Sequence, residues 1–246
     1  MKHYYDAARW YDLFSVGIPG EGGFYLREAK KAKGKILELA CGTGRIYLDL
    51  LEEGVDAYGL DLAAPMLDVL KNKAKVRGLS PKVKKADMRD FRYPFKFDLV
   101  IVPYRAFLHL ERREDQKACL MNIHRHLKKG GRLIVNFFDP RLDFISKVER
   151  MSYSEVKDPK TGKRVRVENF SRYDFSSQHV YSYHRLVKPP SGLPSEKLEL
   201  SLCYIFPREF MNMLELSGFK KWELFGGFDK RPYTKHGQEL VWIATK

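Results

Sequence analysis

The stretch Ile36-Leu37-Glu38-Leu39-Ala40-Cys41-Gly42-Thr43-Gly44-Arg45 decides the fold of this 246-residue chain. Lys35–Leu39 reads as a short apolar strand, and the glycines after it as a turn into a helix running to about Glu53. Glycines at the end of a first strand let a ligand approach the backbone closely. A lone Gly-x-Gly is equally a plain tight turn, so context decides. Asp61 stands 19 residues after Gly42, at the end of a second strand, Ala57–Leu60. A carboxylate there can accept hydrogen bonds from both hydroxyls of a ribose, each worth about 1.5–3 kcal/mol. Two other nucleotide motifs are excluded. The dinucleotide fingerprint needs glycine where Tyr47 stands, and no Gly-Lys-Ser/Thr phosphate loop occurs.

Outward from this turn the pattern alternates. Ala64–Arg77 reads as a helix, Val83–Ala86 as a strand and Phe97–Val102 as a nearly all-apolar strand suited to burial. Arg113–Leu127 reads as a helix closed by Lys128-Lys129-Gly130-Gly131, a C-cap signal, and Arg132–Phe138 as the fifth strand. Strands separated by helices predict an α/β fold with a doubly wound, seven-stranded, mostly parallel sheet. Before it, residues 5–16 form an aromatic-rich helix, Pro19–Gly23 breaks the chain, and a second helix covers Phe24–Ala32. After it, residues 146–205 read as an inserted antiparallel sheet with strands at Arg164–Phe170, His179–Val187 and Leu198–Phe206, and a hairpin turn at Asp158–Gly162. Pro207 starts a helix that ends at Gly218, and strands Lys221–Phe225 and Leu240–Ala244 pair antiparallel to complete the core sheet. The expected organisation is thus a helical segment over 1–34, a core over 35–145, an insertion over 146–205 and a closing unit over 206–246.

Five segments in this order, ELACGTGR, GLDLAAPML, ADMRDF, FDLVIVPYRAFLHL and LKKGGRLIVNFFDP, resemble class I S-adenosylmethionine-dependent methyltransferases over about residues 35–140. The resemblance is weaker in YDAARWYDLF and FPREFMNMLELSGF. One departure is Ala40, which replaces the first glycine of the family's E/D-x-G-x-G-x-G. The resemblance implies S-adenosylmethionine as cofactor and S-adenosylhomocysteine as product. It places Ala40, Cys41, Gly42, Thr43, Gly44 and Arg45 at the methionyl part, with Glu38 orienting that turn. Asp61 would hold the ribose, Leu62 and Met66 would lie near the adenosine, and Asp87 and Met88 would meet the adenine. Pro103 would border the cofactor and Tyr11 would close over it. Taken singly, Glu38 and Asp87 also read as caps, Met88 as core and Cys41 as a small packing residue.

The acceptor is expected above the ends of strands one, four and five, near Tyr104, Arg105, His109 and Asp139. His109 is the candidate base, because imidazole titrates near neutrality; it equally begins the next helix or contacts the cofactor carboxylate. Arg105 binds an acidic acceptor or pairs with a local carboxylate. The insertion is the expected acceptor lid, and its tyrosines Tyr153, Tyr173, Tyr181, Tyr183 and Tyr204 suit an apolar or cationic small molecule or a half-buried sheet face.

Composition bounds the alternatives. Net charge is +14, and residues 71–132 hold 18 basic and 6 acidic side chains. Such a surface can bind nucleic acid, or it is a solvated lysine-rich face. Few Asn and Gln beside many Lys suit a thermophile's surface. An RNA methyltransferase is therefore one alternative. Against it, Val102-Pro103-Tyr104-Arg105 lacks the second proline of base-amine enzymes, and no Pro-Cys nucleophile occurs. A non-catalytic cofactor-binding partner subunit is the other. Three scattered cysteines predict neither disulfides nor structural zinc, and the histidines show no metal-ligand spacing. No apolar run is long enough to span a membrane and no signal sequence is visible, so a cytoplasmic protein is expected. The leading expectation is transfer of a methyl group to a small-molecule nitrogen or oxygen.

Overall fold

The computed structural model describes residues 2–3, 8–158, 161–194 and 197–246. Two short N-terminal elements, β1 (Lys2–His3) and α1 (Ala8–Phe14), precede α2 (Glu21–Lys31). Tyr5, part of the expected first helix, lies outside the described residues. The core follows as β2 (Ile36–Leu39), α3 (Tyr47–Glu52), β3 (Ala57–Asp61), α4 (Ala64–Val76), β4 (Lys82–Lys85), β5 (Phe97–Val102), α5 (Arg113–His126) and β6 (Leu127–Phe138). After a short helix α6 (Leu142–Ile145) come β7 (Glu149–Lys157), β8 (Arg164–Asp174), β9 (His179–Leu186) and β10 (Leu198–Cys203). The chain closes with α7 (Pro207–Leu216), β11 (Lys221–Phe225) and β12 (Glu239–Thr245).

The seven-stranded sheet runs β11-β12-β6-β5-β2-β3-β4. Its strands from β6 to β4 pair in parallel, and β12 pairs antiparallel with both β6 and β11. Period-two alternation sorts the strand residues onto two faces. Leu37, Leu39, Val100 and Val102 pack on α5 and α7 through Leu120, Phe210 and their neighbours. Ile36, Leu99 and Ile101 pack on α2, α3 and α4 through Phe24, Leu48 and Leu70. Each such buried side chain contributes about 1.5–3 kcal/mol. Strand order reverses between β2 and β5, which opens a crevice at their carboxyl ends.

A second sheet runs β1-β10-β9-β8-β7, antiparallel except for β1, which adds in parallel to β10. Neither β1 nor β7 was anticipated as a strand. One capping expectation is overturned. The Lys128–Gly131 run does not cap α5: Leu127 is already extended, and Gly130 donates its amide to the Lys246 carbonyl, so the run belongs to β6. α2 starts three residues early, because Glu21 at its first turn is buried and held by its own contacts.

Candidate active site

The segments leaving β2, β3, β4 and β5 line two adjoining cavities that share Ala40, Asp61 and His109. One, of about 350 Å³, has Leu62, Ala63, Asp87 and Met88 in its wall. The other, of about 180 Å³, lies over Gly42, Met66, Pro103, Tyr104 and Arg105. Tyr11 and Phe14 of α1, and His184, Leu200 and Leu202 of the second sheet, bound it on the far side. A narrow cleft beside it is lined by Glu38, Cys41, Thr43 and Arg45 among others.

Asp61 ends β3 and is nearly buried. Its Oδ2 accepts the Gly42 amide at 2.8 Å and its Oδ1 the Ala63 amide at 2.8 Å. Burial raises its pKa, opposed by those amides. Its four lone-pair sites exceed the amides of Ala63, Gly42 and Leu62 that face it, so acceptor capacity remains for a ligand donor. The glycine turn is drawn tight: Ala40 has φ 54°, Gly42 φ 55° and Gly44 φ 87°. Ala40 therefore carries a left-handed backbone that glycine would adopt freely, at a cost of about 1–2 kcal/mol. Gly42 has open space beside it, as an approaching ligand needs. Gly44 does not serve that purpose: a Cβ there would stand 2.8 Å from Leu70 and 2.9 Å from Leu48, so its glycine is required by helix packing.

Under the turn, Glu38 is buried with Oε2 lacking any hydrogen-bond partner. Burial pushes its pKa well up, with Arg45 opposing. Arg45 donates to Glu21 Oε2 at 2.6 Å and lies 4.6 Å from the centre of the Tyr104 ring. Thr43 Oγ1 donates to Asp12 at 2.6 Å, and Asp12 also pairs with Lys73 at 2.6 Å, which seats α1 on the turn. Burial raises the Cys41 thiol well above its ordinary range, which fits packing rather than nucleophilic chemistry.

Tyr104 and Arg105 are consecutive left-handed residues, φ 53° and 65°. A buried polar network holds them there. The Tyr104 amide donates to Glu21 Oε1 and to Asn136 Oδ1, both at 3.0 Å, and Asn136 Nδ2 donates to Glu239 Oε1 at 2.8 Å. Arg105 pairs with Glu239 at 2.9 Å. Of its two expected roles the structure shows the ion pair, with a carboxylate remote in sequence.

Asp87 lines its cavity with both oxygens engaged by Arg89, whose hydrogen bonds hold its pKa below the usual carboxylate range against the effect of burial. Asp139 is not brought to the cavities. Its Oδ2 accepts from Tyr233, His236 and Gly237, so it fastens the loop between β11 and β12. The five tyrosines of the insertion are absent from the cavity that His109 and His184 line. Tyr204 is core, Tyr173 packs against the core, and Tyr153, Tyr181 and Tyr183 lie in the outward-facing row of their sheet. Sequence reasoning missed Glu21, Asn136, Phe14 and His184. Asn136 alone left a signal: an amide in the apolar run Leu133–Phe138.

Among the described residues no group of His, Cys, Asp and Glu is placed to hold a metal ion, and no helix is long and apolar enough to cross a membrane. A family profile of a methyltransferase domain matches residues 36–131. The cypemycin N-terminal methyltransferase of a Streptomyces species is 32% identical over 133 residues, 53% of this chain and 54% of that protein. The chain thus spans about half of that relative's length. A glycine/sarcosine N-methyltransferase of Parasynechococcus marenigrum is 28% identical over 232 residues, 90% of this chain and 77% of that protein. A crystal structure of an S-adenosylmethionine-dependent methyltransferase from Clostridium acetobutylicum superposes with a TM-score of 0.78 at 19% identity, covering 98% of each chain. Residues 36–131 are a methyltransferase domain, and over nearly its whole length the chain has the fold of the S-adenosylmethionine-dependent methyltransferase from Clostridium acetobutylicum.

Proposed function

We propose that this chain transfers a methyl group from S-adenosylmethionine to a nitrogen of a small molecule. The observation that carries this reading is the pair of adjoining cavities with Asp61 and His109 in the walls of both. The residues fit the cofactor. Asp61 has lone pairs left for ribose hydroxyls, Gly42 leaves backbone room, and the unpartnered Glu38 oxygen is an acceptor that an ammonium group would satisfy. Leu62, Met66 and Met88 offer apolar walls to the adenosine, and Asp87 an acceptor for its amino group. Thr43 and Arg45 hold the turn and Pro103 borders the methionyl end. When bound, the sulfonium cofactor supplies an already activated methyl group.

The protein's part is then to orient the acceptor and exclude water, which can contribute on the order of 7–11 kcal/mol. Tyr11, Phe14 and the second sheet close the smaller cavity, and Tyr104 forms part of its floor. A nitrogen acceptor suits these walls better than oxygen. A hydroxyl acceptor has to be deprotonated as it attacks, whereas a neutral amine attacks with its own lone pair. Beside His109, Asp61 is the one carboxylate of the cavity among the described residues, and it is held by the Gly42 and Ala63 amides. His109 can take the proton that the methylated amine releases. One of the two curated relatives, the glycine/sarcosine enzyme, is by name an N-methyltransferase, which supports nitrogen. An RNA acceptor finds less support. Many cations of the basic segment are paired within the protein, as in Lys82 with Asp56, Arg77 with Asp49 and Glu52, and Lys128 with Asp98.

Calorimetric titration with S-adenosylmethionine, S-adenosylhomocysteine and NAD tests the cofactor. Micromolar binding of the first two and none of NAD is expected. Release of S-adenosylhomocysteine across a panel of small amines and alcohols then tests the acceptor class. Turnover confined to alcohols would replace nitrogen by oxygen.

A further inference from the structure

We infer that Glu38 carries a proton in the ligand-free protein and yields it to solvent when the ammonium group of the cofactor enters, so that the site exchanges one cation for another and selects ligands with a charged amino end. This rests on the methyltransferase reading above and deepens it.

Glu38 lies in β2, whose four residues are all buried, and is itself 3% exposed. Period-two alternation puts it on the face of Ile36, against α2, α3 and α4. Its Oε2 has no hydrogen-bond partner, and it lines the narrow cleft with Gly42, Thr43 and Arg45. Every neighbouring element brings a titratable group toward it. α2 brings Glu21 and Tyr25, the glycine turn Cys41 and Arg45, α3 Tyr47 and Asp49, and β3 Asp61. Tyr11 of α1 and Tyr104 after β5 complete the cleft wall.

Among these groups Arg45 is the one cation, and it is committed. It pairs at 2.6 Å with the Glu21 carboxylate, which is fully buried. Asp49 is exposed and pairs with Arg77 instead, and Asp61 is met by backbone amides. An ionised Glu38 would thus be a second buried carboxylate with no cation of its own. A carboxyl so placed takes up a proton rather than stay charged. Burial raises its pKa, Arg45 opposes, and the Glu21, Asp61 and Asp49 carboxylates add to the rise.

An ammonium beside the carboxyl reverses this balance, because a close opposite charge favours the ionised form. The cleft has a volume of about 30 Å³, enough for one group of that size. It shares Tyr11, Ala40, Gly42, Pro103 and Tyr104 with the smaller cavity, so the amino end of a ligand lying over Gly42 reaches Glu38. The O–H bond of Glu38 breaks, its proton goes to bulk buffer, and the ammonium keeps its hydrogens and donates one to Oε2. A ligand without a charged amino end leaves the proton in place.

Calorimetric titration at about pH 6, repeated in buffers of different ionisation enthalpy, counts the protons. Wild type should release close to one on binding S-adenosylhomocysteine and none on binding methylthioadenosine, which lacks the amino-acid end. Glu38→Gln should release none with either, whereas Asp61→Asn should still release one with S-adenosylhomocysteine. The Kd for S-adenosylhomocysteine should fall by up to about tenfold per pH unit in wild type relative to Glu38→Gln, as exchange of one proton requires. Equal release by wild type and Glu38→Gln would overturn the inference. Urea unfolding without ligand tests it independently of binding. A Glu38 held neutral in the fold makes wild type lose stability relative to Glu38→Gln as pH rises above about 4.5, where the unfolded chain ionises. A variant that instead becomes the weaker of the two as pH rises would mean that Glu38 is charged and paired, and the inference falls. If S-adenosylhomocysteine fails to bind wild type at any pH, the methyltransferase reading itself falls.

Discussion

Asp61 accepts the amide of Gly42 at 2.8 Å, so the last residue of one strand shapes the turn that follows its neighbour. The same carboxylate holds the Ala63 amide just before α4. One side chain therefore sets two backbone segments and keeps lone pairs for a ligand. Asp61→Ala is expected to raise the Kd for S-adenosylhomocysteine at least about tenfold, since a charged acceptor is worth about 1.5–3 kcal/mol. Asp61→Asn, which keeps one acceptor oxygen, should fall between. Calorimetry measures both, and an Ala variant that binds within twofold of the wild type would remove Asp61 from the ribose site.

The two turn glycines should separate stability from binding. Alanine at either position pays the left-handed penalty of about 1–2 kcal/mol. At Gly44 the new Cβ also meets Leu48 and Leu70, and overpacking adds about 1–3 kcal/mol. Gly44→Ala is therefore expected to lose more stability in urea unfolding. Gly42→Ala, beside open space, should lose less stability and more cofactor affinity. The opposite order in urea would mean that α4 yields to the new methyl group.

Much of this arrangement was legible in the sequence because it is local. The glycine turn, Asp61 on the next strand and the all-apolar Phe97–Val102 are set by spacing and by the alternation of buried strands. The order of the core elements followed from them. What escaped depends on residues brought together from far apart. Glu21 looks like part of a breaker, yet it binds both Arg45 and the Tyr104 amide. Glu239 meets Arg105 from 134 positions away. The tyrosines of the insertion stayed open between an acceptor pocket and a sheet face for a related reason. A strand shows residues to two faces, and composition does not say which face meets the core, so the aromatic row turned outward while His184 turned in.

Glu28 provides a pH-dependent contribution to stability. It is buried in α2, and burial raises its pKa, but hydrogen bonds from Lys31, Lys230 and Arg132 outweigh this and hold it at about 2 against an ordinary 4.5. A carboxylate held below its unfolded value stabilises the fold above about pH 4.5 and loses that contribution as pH falls toward 2. Glu28→Gln is expected to unfold at a clearly lower temperature than the wild type at pH 7, with the gap closing between pH 4.5 and pH 2. The gap at neutral pH should be on the order of 3 kcal/mol, from about 1.36 kcal/mol per unit. A gap independent of pH would assign the effect to packing.

His109 stands where the two cavities meet, on the turn Ala106–His109 after β5. In methylation of an amine the nitrogen lone pair forms the new C–N bond as the S–C bond breaks, and the product then sheds a proton. An imidazole at this junction can take it, because histidine exchanges protons near neutrality. His109→Ala is expected to lower kcat at least about tenfold, within the usual range for a lost general base, and to leave the cofactor Kd unchanged. Three results separate its roles. A fall in kcat with altered pH dependence identifies a base. A rise in acceptor KM alone identifies a binding group. A weaker cofactor Kd assigns His109 to the cofactor carboxylate, the other role its position permits.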